Sequence, residues 1–117
     1  MIQHHNHCYL AGIGINLFFE KETYGGVYQA SFEVDKKSWV QEISQFIREH
    51  RYQETEKLKE DWMSLCAHLY QEVTISEGEK KVHGLFRGLG VHGEAIVQTA
   101  NSEEYVFNGS LRYGLFV

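Results

Sequence analysis

Apolar and polar positions change rhythm three times along the chain. From Cys8 to Phe19 the apolar residues run almost unbroken, which predicts a strand over 8–19. On strand alternation Gly12, Gly14 and Asn16 share one face, and Ile13, Ile15 and Leu17 the other. Two side-chain-free positions weaken a strand, and they mark either a packed core strand or a place where a ligand approaches the backbone. Asn16, at the rim of that bare patch, offers a donor and an acceptor suited to a nucleobase edge or a ureido group. Residues 20–34, with Gly25-Gly26, read as an irregular connection.

A period near 3.6 follows. Asp35 is a candidate N-cap for a helix that places Trp39, Val40, Ile43, Phe46 and Ile47 on one stripe. A second helix is predicted over 54–68, with Leu58, Trp62, Leu65, Cys66 and Leu69 as its apolar stripe. From Glu72 the rhythm becomes that of short strands. Turns at Glu77-Gly78-Glu79, at Gly88 to Gly93 and at Asn101-Ser102-Glu103 separate the first four of five strands, and the last runs over Leu111 to Val117. Such spacing suits a small closed or half-closed barrel, with Val73, Ile75, Leu85, Ile96, Val106, Leu111 and Leu115 as its core.

Composition narrows what such a chain can do. Its 117 residues suffice for one ordinary domain or two very small ones. A net charge of −5 with no Lys/Arg stripe argues against a general nucleic-acid binder. No apolar run is long enough to cross a bilayer, and no basic-then-apolar leader is present, so no membrane partner is expected. Cys8 and Cys66 are far apart without recurring spacing, which fits free thiols and a cytoplasmic protein.

Several groups invite a chemical reading beside a plain one. His4, His5, His7 and Cys8 could ligate zinc, or be a solvated turn. Cys8 as a nucleophile would need a base, and His7 would point to the opposite face of a strand. Cys66, Trp39 and Trp62 fit core positions on helical stripes. Glu54, Glu56, Glu60 and Asp61, interleaved with Lys57 and Lys59, read as a solvated helix face with local ion pairs. The barrel aromatics either fill its core or line a groove like that of SH3 domains. Arg87 and Arg112 are the cations able to reach a phosphate or carboxylate.

Three stretches also occur in a familiar order: Gly12-Ile13-Gly14-Ile15-Asn16, then Lys59-Glu60-Asp61-Trp62, then the run from Val82 to Ala95 with Asn108-Gly109-Ser110-Leu111-Arg112 behind it. In these the chain resembles the C-terminal part of bacterial biotin protein ligases. The resemblance implies an α+β fold. Residues 1–70 would be a remnant of the mixed α/β catalytic domain (a strand plus two helices), and 71–117 a small SH3-like β-barrel. It implies an enzyme that forms biotinyl-AMP from biotin and ATP, with Mg, and passes biotin to a lysine of the biotin carboxyl carrier protein. Carried over by position, Gly12 and Gly14 would line the adenylate cleft, Asn16 would hydrogen-bond the adenine, and Arg112 would lie in the cap near the ATP side.

The family's Gly/Arg-rich biotin loop and its lysine-bearing strand have no counterpart here, and Gln3 to Cys8 falls where the hairpin into the Gly12 strand belongs. The chain therefore reads as the tail of a longer ligase. It is expected to be inactive alone, because adenylate formation needs positive charge at the developing phosphate charge. Self-association through the Gly12 strand is a further expectation. The rival reading is a stand-alone SH3-like protein-interaction module.

Overall fold

The computed structural model describes residues 2–17, 26 and 35–114, in two compact units, Met1–Gln45 and Phe46–Val117. Most of the connection expected over 20–34, and the core position expected at Leu115, lie outside the described residues.

The first unit opens on a hairpin. Strand β1 (Ile2–His5) pairs antiparallel with β2 (Cys8–Ala11), with His5 opposite Cys8 and Ile2 opposite Ala11. Asn6 and His7, at φ 46° and 63°, make the two-residue turn. Two successive left-handed residues are what a turn matching the strand twist requires, and asparagine adopts that conformation more readily than most side chains. The strand expected over 8–19 is shorter than the sequence suggested. It ends at Ala11, and 12–17 carry no regular structure. Two glycines in three residues weaken the extended state, and β1, the one strand paired with β2, ends opposite Ala11.

Helix α1 (Lys36–His50) begins as its sequence predicts. Asp35 Oδ1 accepts the Ser38 N–H at 3.1 Å, and the Asp35 carbonyl accepts the Trp39 N–H at 3.2 Å. At the other end the His50 Nδ1 donates to the Phe46 carbonyl at 2.8 Å, satisfying one of the orphan acceptors of a helix terminus. Trp39 and Ile43 are half-buried, whereas Val40, Phe46 and Ile47 remain exposed.

The second unit holds helix α2 (Thr55–Ser64) and a five-stranded antiparallel sheet. The helix stops short of the expected residue 68. Leu65 and Cys66 donate their N–H groups back to Trp62 and Met63, a tightened last turn that ends the helix. Cys66 and Leu69 still pack against the core, from the link rather than from a helical stripe.

The strands are β3 (Glu72–Glu77), β4 (Lys80–Leu89), β5 (Ala95–Gln98), β6 (Glu103–Val106) and β7 (Ser110–Tyr113), in the order β6-β5-β4-β3-β7. Of the closed or half-closed barrel expected, the closed form is not present: among the described residues β6 and β7 are unpaired edges at opposite ends of the sheet. The sheet is nevertheless curled. Residues 107–109 alone carry the chain from one edge to the other, and the four steps from Val106 to Ser110 reach at most ~14 Å. Edge strands of a flat five-stranded sheet would stand roughly 19 Å apart.

Val73, Ile75, Val82, Phe86 and Val97 are the buried core inside this curl, with Val106 and Leu111 partly buried against them. The expected Leu85 and Ile96 are replaced by their neighbours Phe86 and Val97. Each pair sets two apolar residues side by side, so alternation alone leaves the inward face open. The register decides it: Phe86 lies opposite Val97, and Leu85 lies opposite Gln98 on the outer face. Gly88, at φ 119°, lies under α2, where a Cβ would come within 2.7 Å of the Met63 sulfur.

Candidate functional site

The residues expected to carry function fall in both units. Gly12, Gly14 and Asn16 follow β2 in an extended, exposed segment, with Ile13 and Ile15 also open to solvent. A Cβ at Gly14 would meet nothing within 4 Å, so the backbone at Gly14 is open to a ligand or another chain. From Ile2 to Leu17 no Lys, Arg, Asp or Glu occurs. The segment therefore offers peptide groups, apolar side chains and the Asn16 amide, and no fixed charge.

The histidine-rich hairpin does not assemble a metal centre. His5 and Cys8 are cross-strand neighbours, while the ring of His4 lies beside Tyr9 at 5.0 Å and His7 at 6.5 Å. Among the described residues no group of three or more His, Cys, Asp or Glu is gathered to hold a metal. Cys8 is exposed, Cys66 is half-buried, and both are free thiols.

Arg112 lies on the outer face of the sheet, in β7, opposite Thr74 of β3. Thr74 is in turn opposite His83 of β4, and the Thr74 hydroxyl shares a 2.8 Å hydrogen bond with His83 Nδ1. The Glu72 carboxylate stands 3.5 Å from His83 Nε2. This row sets a guanidinium, a hydroxyl and an imidazole side by side on three strands. The group it can offer an anion from the solvent side is the Arg112 guanidinium, whose N–H donors suit phosphate and carboxylate oxygens, because both His83 nitrogens already face Thr74 and Glu72. The sequence pointed to Arg112; Thr74 and His83 were missed, because cross-strand neighbours are fixed by register and not by spacing. Arg87 is the extra residue of a bulge between Phe86 and Gly88, and its guanidinium lies 5.5 Å from the Tyr70 ring centre.

The concave face carries a second feature, an open groove of about 360 Å³. Trp62, His68, Phe86, Leu89, Phe107 and Leu111 are among the residues that line it. Trp62 is 41% exposed although it stands on the predicted apolar stripe. His68 contacts Phe86, and burial lowers its basicity below the ordinary histidine value. At the rim the loop before β5 buries the Glu94 carboxylate, which accepts the His92 N–H at 2.9 Å. Among the described residues no helix is long and apolar enough to cross a membrane.

Solved structures resemble the fold over about two thirds of the chain. The chain matches biotin protein ligase from Aquifex aeolicus in complex with biotin and ATP, with a TM-score of 0.56 and 25% identity over 71% of its length. A second structure of biotin protein ligase from Aquifex aeolicus matches with a TM-score of 0.54 and 26% identity over 64% of the chain. The likeness is to biotin protein ligase. The chain spans 38% and 34% of the length of those two ligase chains, so it corresponds to part of a ligase fold. No family's sequence pattern matches the chain, and no curated protein matches it. The likeness is therefore carried by the solved structures, in agreement with the three stretches read from the sequence.

Proposed function

We propose that the chain is the C-terminal portion of a biotin protein ligase, an enzyme of the cytoplasm. The whole enzyme forms biotinyl-AMP from biotin and Mg-bound ATP and transfers biotin to a lysine of the biotin carboxyl carrier protein. The observation that supports this most is the structural match to the Aquifex ligase bound to biotin and ATP. On this reading Gly12 and Gly14 let the adenylate approach the backbone, and Asn16 reads the adenine edge with its amide. The sheet is an SH3-like half-barrel that presents Arg112, beside Thr74 and His83, to an anionic group of ATP or of the carrier protein. The chain alone is inactive, because it lacks the Gly/Arg-rich loop and the lysine-bearing strand that stabilise charge at the phosphates.

The test is incorporation of labelled biotin into a carrier domain. The chain alone gives background; the chain joined to the remaining portion of a ligase gives turnover. Turnover by the chain alone would overturn the inactivity, and no turnover by the joined protein would overturn the ligase reading. A second reading, a stand-alone interaction module, draws on the open aromatic groove. Calorimetry with biotin and ATP on the joined protein separates the two, since an interaction module binds neither.

A further inference from the structure

His68 occupies a position that neither the ligase reading nor the strand pattern explains. It lies in the link between α2 and β3, and its ring is wedged among aromatic side chains from three elements. The Phe86 ring of β4 meets it edge-on with centres 4.5 Å apart; Tyr113 of β7 lies at 5.3 Å and Trp62 of α2 at 6.0 Å. Phe86 is 1% exposed and belongs to the buried core, so one edge of the imidazole touches the centre of the sheet unit.

The backbone around it is tied to the same strand. The Tyr70 N–H donates to the Phe86 carbonyl, the Phe86 N–H to the Gln71 carbonyl, and the Gln71 N–H to the His68 carbonyl, each at 2.9–3.1 Å. Between these bonds Tyr70 holds a left-handed φ of 59°, a conformation that a bulky side chain adopts only when its surroundings enforce it. The link is therefore strained, and it is held by those three bonds, by the ring stack, in which Trp62 also meets Phe86 at 6.1 Å, and by Cys66 and Leu69 against the core.

We infer that His68 is an acid-sensitive latch. As a neutral ring it holds the end of α2 and Trp62 over the concave groove; as an imidazolium it leaves the aromatic wedge for water, and the groove opens. The physical ground is the lack of a counter-charge. Among the described residues the rings packed against His68 are Trp62 from α2, Phe86 from β4 and Tyr113 from β7, and burial, with no charged partner beside it, is the cause acting on the imidazole. On those elements Lys59 is paired with Glu56, and His83 bonds Thr74 on the outer face of the sheet. Asp61 is paired with Lys57, the Arg87 guanidinium lies by Tyr70, and Arg112 is on the opposite face of the sheet.

Desolvation then favours the neutral form, and it is the cause that depresses the basicity of this ring. The sign follows. A histidine whose folded-state value is depressed leaves stability intact above the ordinary histidine pKa of about 6.5. As pH falls through that value toward the folded one, the unfolded or released state takes up the proton first, and the latched state loses ground. A cation–π gain from the surrounding rings would act in the opposite direction, so the measured direction decides between the two.

The experiment follows the His68 ring and the Trp62 indole of the full chain by NMR from pH 8 to pH 4.5. The expected result is a His68 midpoint below about 6.5. A matching shift of the Trp62 indole and loss of exchange protection at the Tyr70 N–H accompany it. His68→Phe keeps the aromatic wedge without the proton and should abolish the Trp62 transition. His68→Gln should release Trp62 at every pH, and it keeps the test decisive if the phenylalanine does not fit. His83→Gln, on the outer face, should leave the transition in place. A His68 midpoint at or above the ordinary value, a Trp62 signal insensitive to pH, or a transition that survives His68→Phe each overturns the latch. None of these outcomes depends on biotin or ATP, so the ligase reading stands or falls separately.

Discussion

The β1–β2 hairpin and the β3–β7 sheet are built from similar material, short apolar runs separated by turn residues, yet only the sheet encloses a core. Every residue of β1 and β2 is exposed on both faces, whereas β3 and β4 bury alternate residues. The difference lies in number and curl. Among the described residues the two strands have no second layer over either face, and a lone hairpin is marginal in water, while five curled strands with a helix against them bury Val73, Ile75, Val82, Phe86 and Val97. The buried core therefore lies in the second unit, and the hairpin leaves Ile2, Tyr9 and Leu10 exposed.

The hardest test of this contrast removes one aromatic ring from each region. Phe86→Ala should cost about 3–5 kcal/mol, a large share of the ~5–15 kcal/mol that holds an ordinary domain. The cooperative thermal transition followed by circular dichroism should drop steeply or vanish. Tyr9→Ala, at an exposed hairpin position, should move it by less than ~0.5 kcal/mol. Equal losses from the two substitutions would mean that the hairpin is part of the same cooperative core.

How much of this was legible beforehand depends on what each feature rests on. The Asp35 cap and the existence of α1 were readable, because an N-cap and a 3.6-residue period are local signals, whereas Val40, Phe46 and Ile47 of its apolar stripe stay exposed. The existence of five strands was readable from turn residues at Gly78, Gly93 and Asn101. Which of Leu85 or Phe86, and which of Ile96 or Val97, faces inward was not, because that is fixed by pairing across strands and by the bulge at Arg87. The open sheet was unreadable for a similar reason: β7 leaves its sequence neighbour β6 and pairs with β3. At the candidate site, Gly12, Gly14 and Asn16 could be named from a short motif. The neighbours that Arg112 acquires, Thr74 and His83, come from distant stretches of chain that only the register joins.

A second test asks whether the exposed hairpin finds partners. We propose that the chain self-associates through the segment around β2 and Gly12, since an uncharged, apolar strand edge templates pairing with another chain. Leu10 is 55% exposed. Leu10→Lys should shift sedimentation from oligomer to monomer while leaving the melting midpoint of the sheet unit in place. A wild-type chain that stays monomeric at high concentration, with residues 9–18 protected from hydrogen exchange, would remove this proposal.

A smaller effect is expected at the nucleotide. In the joined ligase, Asn16→Ala should weaken ATP binding by the worth of one neutral hydrogen bond, about 0.5–1.5 kcal/mol or roughly 2- to 12-fold. Biotin affinity should stay as it was, and so should the melt of the sheet unit, because Asn16 is exposed and belongs to the other unit. Titration of the variant with ATP and with biotin separates the two affinities. Unchanged ATP affinity would take Asn16 out of the proposed adenine contact.

The smallest effect belongs to the surface of the stable unit itself. Lys57 Nζ reaches Asp61 Oδ1 at 2.8 Å, one turn apart on α2, with both side chains more than half exposed. The hydrogen bond from Lys57 holds the Asp61 carboxyl below its ordinary value. A carboxyl depressed in this way adds stability above the ordinary carboxylate pKa of about 3.9 and loses it as pH falls through the lower folded value, so the pair is fully formed at neutral pH. Water and salt screen it there, and holding two long side chains together offsets much of the attraction. Asp61→Asn should therefore leave the melting midpoint at pH 7 unchanged within error, and any difference between variant and parent should vanish as pH falls through the lowered folded value and the parent's carboxyl is protonated. If Asp61→Asn instead destabilised the unit as Phe86→Ala does, the hold on the sheet would lie in its helix surface. The buried valines and Phe86 would then no longer explain why this unit, and not the hairpin, is the stable one.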